Sequence, residues 1–236
     1  MLIYDAHCHL AALLTDPREF RIAVAAIKPS DAEDLAAYRE KNSLAKIGFG
    51  LHPWFIEKND LTDLKGTLAN LINKFKPDFI GETGLDKNKA NLAQQIKGLE
   101  IHIELAKEFK LPINIHCVRA YNELLQTLKK YFGISGMIHA YNGNTHTASQ
   151  LAKFNMCLGI GSIILQDNSQ LAKSITRIPD KQILLETDAP YMPSFNKQSS
   201  TTFDCLLYAQ RLSQLKNKSL GEIITKANDN WLKLFA

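Results

Sequence analysis

Residues 5–10 read DAHCHL, with Asp5, His7 and His9 at every second position and Cys8 between the two histidines. Side chains of a β-strand alternate between two faces, so this spacing predicts Asp5, His7 and His9 on one face and Cys8 on the other. Two imidazoles converging from one strand suit a divalent metal ion; a polar strand end with solvated histidines is the plain alternative. The same stretch bears on architecture. A doubly wound open sheet wants a glycine-rich phosphate turn after its first strand, and His-Cys-His stands there instead.

Downstream, short apolar runs alternate with longer segments of helical period. LIYDAH, RIAVAAI, AKIGFGLHP, DFIGETGLD, LPINIHC, SGMIHAY, MCLGIG and QILLETDAP are strand candidates, and nearly all precede a helix candidate such as LTDLKGTLANLINKF or QQIKGLEIHIELAKEF. The second unit is the weakest, because only a loop separates LIYDAH from RIAVAAI. Alternation of this kind argues for a parallel sheet, and eight units in 236 residues leave about thirty residues each, the allowance of a (β/α)8 barrel. The expected fold class is therefore α/β, a single-domain TIM barrel over residues 1–236. PSFNKQSSTT, after the last strand, reads as a long polar loop.

Composition narrows the function classes. With 45% hydrophobic and 22% charged residues, the chain has an ordinary globular make-up. No apolar run approaches the ~18 residues of a membrane span, and the first residues lack a basic leader and cleavage site. The expectation is a cytoplasmic protein with no membrane partner. Cys8, Cys117, Cys157 and Cys205 show no C-x-x-C spacing, so they read as reduced thiols that pack rather than react. The net charge of +4 comes from lysines scattered over helix faces; it permits a polyanionic partner and is equally an ordinary solvated surface.

Marking each strand end with its ionisable residue gives His7 and His9 after strand one, His52 after strand three, Glu82 after strand four, His116 after strand five, His139 after strand six and Asp188 after strand eight. In a barrel these ends ring one mouth. His7, His9, Glu82, His116, His139 and Asp188 form a nitrogen and oxygen set suited to Zn²⁺, Mn²⁺ or a similar ion. Six donors exceed what one open catalytic site uses and suit two ions sharing a bridge. His102 lies inside a helix pattern and His146 at a helix start, and neither is assigned to metal.

Taken together, DAHCHL, GLHPW, IGETGLD, LPINIHC, MIHAYNG and LLETDAPYMP, in this order and spacing, resemble the TatD-type metal-dependent deoxyribonucleases, a branch of the amidohydrolase-like barrel hydrolases. The resemblance runs from residue 2 to the closing NDNWLKLF. It implies that His7, His9 and Asp188 hold one divalent ion (Mg²⁺, Mn²⁺, Zn²⁺ or similar), that His116 and His139 hold a second, and that Glu82 bridges them. Asp5 would orient a ligand imidazole from behind. Asp188 would take a proton from a metal-activated water, with Arg119 or Lys197 holding the phosphate. The implied reaction is hydrolysis of DNA phosphodiester bonds, as a monomeric exonuclease preferring single-stranded or frayed DNA and serving DNA repair or degradation.

Three departures touch the substrate side. Lys87 and Asn88 stand where the family has aromatic residues, Ala140 and Tyr141 replace a Cys-Phe pair, and SFNKQSSTT replaces an arginine-rich stretch. Arg119 also lies one residue later than its family counterpart. Trp54, Phe55, Tyr141 and Tyr191 are candidates for stacking on bases, or for packing at the rim, and His52 for a substrate contact. A metal-dependent hydrolase of a small ester, lactone, amide or phosphoester is the alternative function. A binding protein with a closed, structural metal site is the reading from another class.

Overall fold

A computed structural model describes residues 2–12, 21–58, 61–194 and 197–236. In chain order the elements are β1 (Asp5–Cys8), β2 (Ile22–Ala25), α1 (Ala32–Lys41), β3 (Lys46–Phe49), α2 (Leu64–Phe75), β4 (Phe79–Asp86), α3 (Leu92–Phe109) and β5 (Ile113–Val118). They continue with α4 (Tyr121–Leu128), β6 (Gly136–Ile138), α5 (Thr145–Ala152), β7 (Met156–Ile160), α6 (Gln170–Ser174), β8 (Ile183–Leu185), α7 (Asp204–Lys216) and α8 (Leu220–Leu234). Each strand pairs in parallel with the next, from β1 through β8. Beyond the ends of β1 and β8 a parallel bridge joins Cys8 to Ala189. There the His9 amide donates to the Ala189 carbonyl (2.8 Å) and the Asp188 amide to the His7 carbonyl (2.9 Å). The fold is thus the expected single-domain α/β barrel. The loop expected between the first two strands falls largely on residues 13–20, outside the described residues, as do Phe195 and Asn196 of the polar loop.

Alternation sorts the core into two clusters. Outward residues such as Ile22, Val24, Ile47, Phe49, Ile113, Ile115, Leu158 and Ile160 pack under the helices. Inward, Ala6, Ala23, Ala25, Phe79, Met137 and Leu184 fill the bottom of the barrel, closed by Trp231 and Phe235. Helix α8 is anchored for this by a capping box between Ser219 and Glu222. Trp231 is 1% exposed and meets the edge of the Tyr4 ring at 5.2 Å between centroids. Trp231→Ala is expected to cost about 3–5 kcal/mol, read as a lowered urea midpoint, because no neighbour is positioned to fill the plug.

Two strands break the alternation. Asp5 pairs with Ile22 and Cys8 with Val24, so β1 carries one more residue than β2 over this interval. Ile80 pairs with Ile113 and Thr83 with Ile115, and β4 gains a residue against β5 in the same way. Such bulges re-aim side chains, and each lies at a chemically important residue, His7 in β1 and Glu82 in β4. Strand β4 also runs on to Asp86, so Glu82 sits within it rather than at its end. Close approach of β5 makes Gly84 necessary: its φ is +144° and an added Cβ would lie 2.0 Å from the His116 carbonyl oxygen.

The bulge corrects the reading of DAHCHL. Asp5 shares its parity with outward-facing Ile22, not with His7, and its carboxylate accepts from the Thr187 hydroxyl, the Thr187 amide and the His7 amide. It clamps β1 to the segment after β8 and bonds no imidazole ring. Burial raises the Asp5 carboxyl to about 7.

His102 belongs to the scaffold, in keeping with its position in the α3 pattern. Its Nδ1–H donates to the Gly98 carbonyl (2.7 Å), and Nε2 accepts the Leu51 amide (2.9 Å), tying α3 to the segment after β3. Burial lowers its pKa from 6.5 to about 4. A depressed histidine contributes stability above the unfolded pKa, and this is lost as pH falls from 6.5 towards 4; the whole amounts to about 3 kcal/mol. Urea unfolding across that window should show a shallower loss of stability in His102→Gln than in the wild type.

Candidate metal centre

Glu82 stands at the middle of the barrel mouth with its two oxygens turned to two groups of imidazoles. Oε2 lies 3.5 Å from His7 Nε2 and 3.4 Å from His9 Nε2. Oε1 lies 3.1 Å from His52 Nε2, 3.2 Å from His116 Nδ1 and 2.8 Å from His139 Nε2. Asp188 completes the first group, its Oδ1 at 3.4 Å from His7 Nε2 and 3.1 Å from His9 Nε2. All six residues expected as ligands are therefore brought together, and all are buried. Three overlapping triads present donor atoms within 4.8 Å of one another: His7, Glu82 and His139; His7, His9 and Asp188; His52, Glu82 and His116.

Hydrogen bonds on the far side of the rings separate lone pairs from N–H groups. His9 Nδ1 donates to the Ala25 carbonyl at 3.0 Å, which leaves Nε2 as a lone pair facing Asp188 and Glu82. Two kinds of acceptor pointed at each other require a cation between them. Asn114 Nδ2 lies 2.8 Å from His7 Nδ1 and its oxygen is unpaired; with the amide turned over, that oxygen accepts Nδ1–H and leaves the unpartnered His7 Nε2 as a lone pair facing Glu82 and Asp188. His52 is wired the opposite way. The Trp54 amide donates to its Nδ1 (3.2 Å), so Nε2 carries the hydrogen and donates to Glu82. The sequence placed His52 beside the site as a substrate contact; its buried partner is the central carboxylate.

Protonation follows from the crowding. Burial opposes charge on Glu82, but the His52, His139 and His7 imidazoles outweigh it and hold the carboxyl well below its usual range. Burial likewise opposes the Asp188 carboxylate, which the His7, His9 and His139 imidazoles beside it keep ionised. His116 loses to burial but gains more from Asp86 and Glu82, and rises to about 9. His139 drops to about 4, chiefly by burial. Protons thus occupy positions that divalent ions would take, and ion binding must displace them.

The unpaired nitrogens and the mixed nitrogen and carboxylate donor set fit two divalent ions of the Zn²⁺ or Mn²⁺ type. Above them opens a cavity of 620 Å³, lined in part by Ile27, Trp54, Phe55, Val118, Arg119 and Tyr191. Trp54 and Tyr191 are each 52% exposed. Trp54 abuts the His52 and His116 rings, and Tyr191 the His9 ring, so the two aromatics flank the centre on opposite sides. Arg119 reaches the cavity from the end of β5 with its guanidinium near Asn88.

Other expectations on the substrate side are corrected. Tyr141 is fully buried, and its hydroxyl donates to the Asn144 carbonyl at 2.7 Å, so no face is free to stack on a base. Lys197 is engaged by Asp204 at the start of α7. Cys8, Cys117 and Cys205 are buried, and burial pushes their thiols up, Cys117 to about 12, as befits packing residues. Asn114, Asp86 and Glu186 were missed. For the first two a signal existed: Asn114 is two residues from His116 on β5, and Asp86 four from Glu82 on β4, each on its ligand's face.

Among the described residues no helix is long and apolar enough to cross a membrane. The chain is 26% identical to the "Uncharacterized metal-dependent hydrolase YjjV" of Escherichia coli over 250 residues, covering 98% of this chain and 96% of that protein. It is 28% identical to an "Uncharacterized metal-dependent hydrolase" of Buchnera aphidicola over 261 residues, covering 100% and 96%. The crystal structure of E. coli YjjV, a TatD homolog, superposes with a TM-score of 0.88 at 24% identity over 99% of this chain and 97% of that one. A TatD family hydrolase from Entamoeba histolytica gives 0.82 at 18% identity over 99% and 98%. The family model described as "TatD related DNase" matches residues 4–236, and with its barrel-mouth cluster of imidazoles and carboxylates the chain belongs to that family of metal-dependent hydrolases.

Proposed function

We propose that this chain hydrolyses phosphodiester bonds of DNA, taking single strands or frayed ends. The observation that carries the reading is the position of the buried cluster, at the floor of a cavity of 620 Å³ flanked by two half-exposed aromatic rings. An unpaired strand can lay its backbone over that floor and stack bases on Trp54 and Tyr191 at about 1–3 kcal/mol each, whereas the bases of a duplex are already paired and stacked. Membership of the TatD-related DNase family supports the same substrate.

In this reading His7, His9 and Asp188 would hold one ion and His116 and His139 the other, with Glu82 facing both groups. When bound, the two ions supply Lewis acidity to the phosphoryl oxygens and lower the pKa of a water from 15.7 towards about 7. Asp188, ionised and facing His9, accepts the proton that the attacking water gives up. His52 donates to Glu82 Oε1 and keeps that carboxylate from turning. Arg119, in the cavity wall, pairs with a non-bridging phosphate oxygen. The work fits a cytoplasmic monomer that trims strands released in DNA repair or degradation.

One observation favours the alternative of a small ester or phosphoester. The remaining wall is largely apolar, with Ile27, Phe55, Val118, Ile163 and Met192, and Arg119 is the one lysine or arginine side chain lining it among the described residues. Cleavage of end-labelled single-stranded DNA by metal-stripped protein resupplied with Mg²⁺, Mn²⁺ or Zn²⁺ tests the choice, with Glu82→Ala purified in parallel to expose contaminating nuclease. Cutting by wild type alone supports DNA; no cutting, together with turnover of small esters, supports the alternative.

A further inference from the structure

The two groups of imidazoles rest on different supports. His9 backs onto the Ala25 carbonyl and His7 onto the Asn114 amide, both neutral. The other group backs onto carboxylates. His116 Nε2 is 3.6 Å from Asp86 Oδ2, and His139 Nδ1 is 4.0 Å from Glu186 Oε1. Both ring nitrogens are buried and lack a hydrogen-bond partner, as does Glu186 Oε2.

Both carboxylates are held in place. Asp86 accepts from the Trp54 indole at 2.7 Å and from the Asn88 amide at 2.8 Å. Glu186, 1% exposed, accepts from the Ala140 amide, and its other oxygen occupies the space beside Gly159. A Cβ at Gly159 would lie 1.9 Å from that oxygen, so the glycine is what makes room for the carboxylate.

On the near side, His116 Nδ1 and His139 Nε2 are 2.9 Å apart and both face Glu82 Oε1. For these two nitrogens to act as lone-pair donors together, their protons must sit on the far nitrogens, and the only acidic side chains bordering those are Asp86 and Glu186 among the described residues, the Glu186 carboxyl pushed up by burial to about 8.

We propose that Asp86 and Glu186 are a matched pair of positioning carboxyl groups for one half of the centre, fixing the tautomers and orientation of His116 and His139 towards the ion those residues would hold. The other half, which has Asp188 as a direct ligand, manages with neutral supports. The proposal rests on the binuclear reading. Its logic is that the half of the centre with fewer ligand carboxylates has its rings oriented by carboxyl groups from behind, and such outer partners typically govern about 10–100-fold in metal affinity.

The test is titration of metal-stripped full-length protein with Zn²⁺ against a chromophoric chelator, fitting two binding constants, for wild type, Asp86→Asn, Glu186→Gln and the double variant. Both single changes keep an oxygen acceptor for the Ala140 amide or the Trp54 indole, and circular dichroism verifies the fold. The expected result is two ions in wild type, one constant about 10–100-fold weaker in each single variant, and the other constant within threefold. Unchanged constants, or an equal fall in both, would overturn the pairing with two ions still bound. Uptake of only one ion by wild type would overturn the binuclear reading, and the pairing with it.

Discussion

Glu82→Ala is expected to lower hydrolysis by at least about 10³-fold, more than 4 kcal/mol of barrier, and to reduce bound metal from two ions to one or none. Both Glu82 oxygens are in use, one towards His7 and His9 and the other towards His52, His116 and His139. Alanine removes the anion common to both groups and leaves five imidazoles facing one another. The backbone of β4 has no stake in the carboxylate, since its ladder bonds run to β3 and β5. The barrel should therefore keep its circular dichroism spectrum. Metal analysis with turnover on the same preparation checks the outcome, and a fully active variant would remove Glu82 from the bridge.

Asp188→Asn is expected to retain at least one ion and to slow turnover by about 10²–10⁴-fold, the usual contribution of a positioned general base. The substitution is a sharp one because Asp188 has φ of +55°, a left-handed conformation that asparagine adopts readily. Backbone shape is kept while proton affinity is lost. Normal turnover in this variant would exclude Asp188 as the base.

Much of this was legible in the sequence because barrel geometry converts order along the chain into position around a ring. His9, His116, His139 and Asp188 could be assigned to one mouth because His116 lies near the end of its strand and the others just past theirs, and parallel strands end on the same side. What escaped depends on pairing between strands. Asp5 was placed with His7 by strict alternation, and the extra residue in β1 reversed it. Nothing local in DAHCHL marks that residue; it is defined by the partner across the ladder. Tyr141 looked like a rim aromatic, but its ring is buried and its hydroxyl is bonded to the Asn144 carbonyl, contacts that the chain after β6 sets and no local motif announces. Glu186 lay inside a quoted motif two residues from Asp188, and only the gap at Gly159, on a neighbouring strand, shows what its side chain needs. The donor role of His52 hangs on one backbone amide, at Trp54.

The extra residues in β1 and β4 have a practical meaning for protein engineering. His7, His9 and Glu82 cannot be transplanted as a residue list. On a regular eight-stranded barrel with matched strand lengths, a graft of the six ligands would inherit the wrong parity below His7 and Glu82, turning either the ligand or the plug beneath it towards the helices. A designer would have to copy main-chain length first and side chains second. Substrate scope is the easier thing to redesign, because Trp54, Tyr191 and Arg119 sit on segments beyond the strands or at their ends, and exchanging them leaves the strand count untouched.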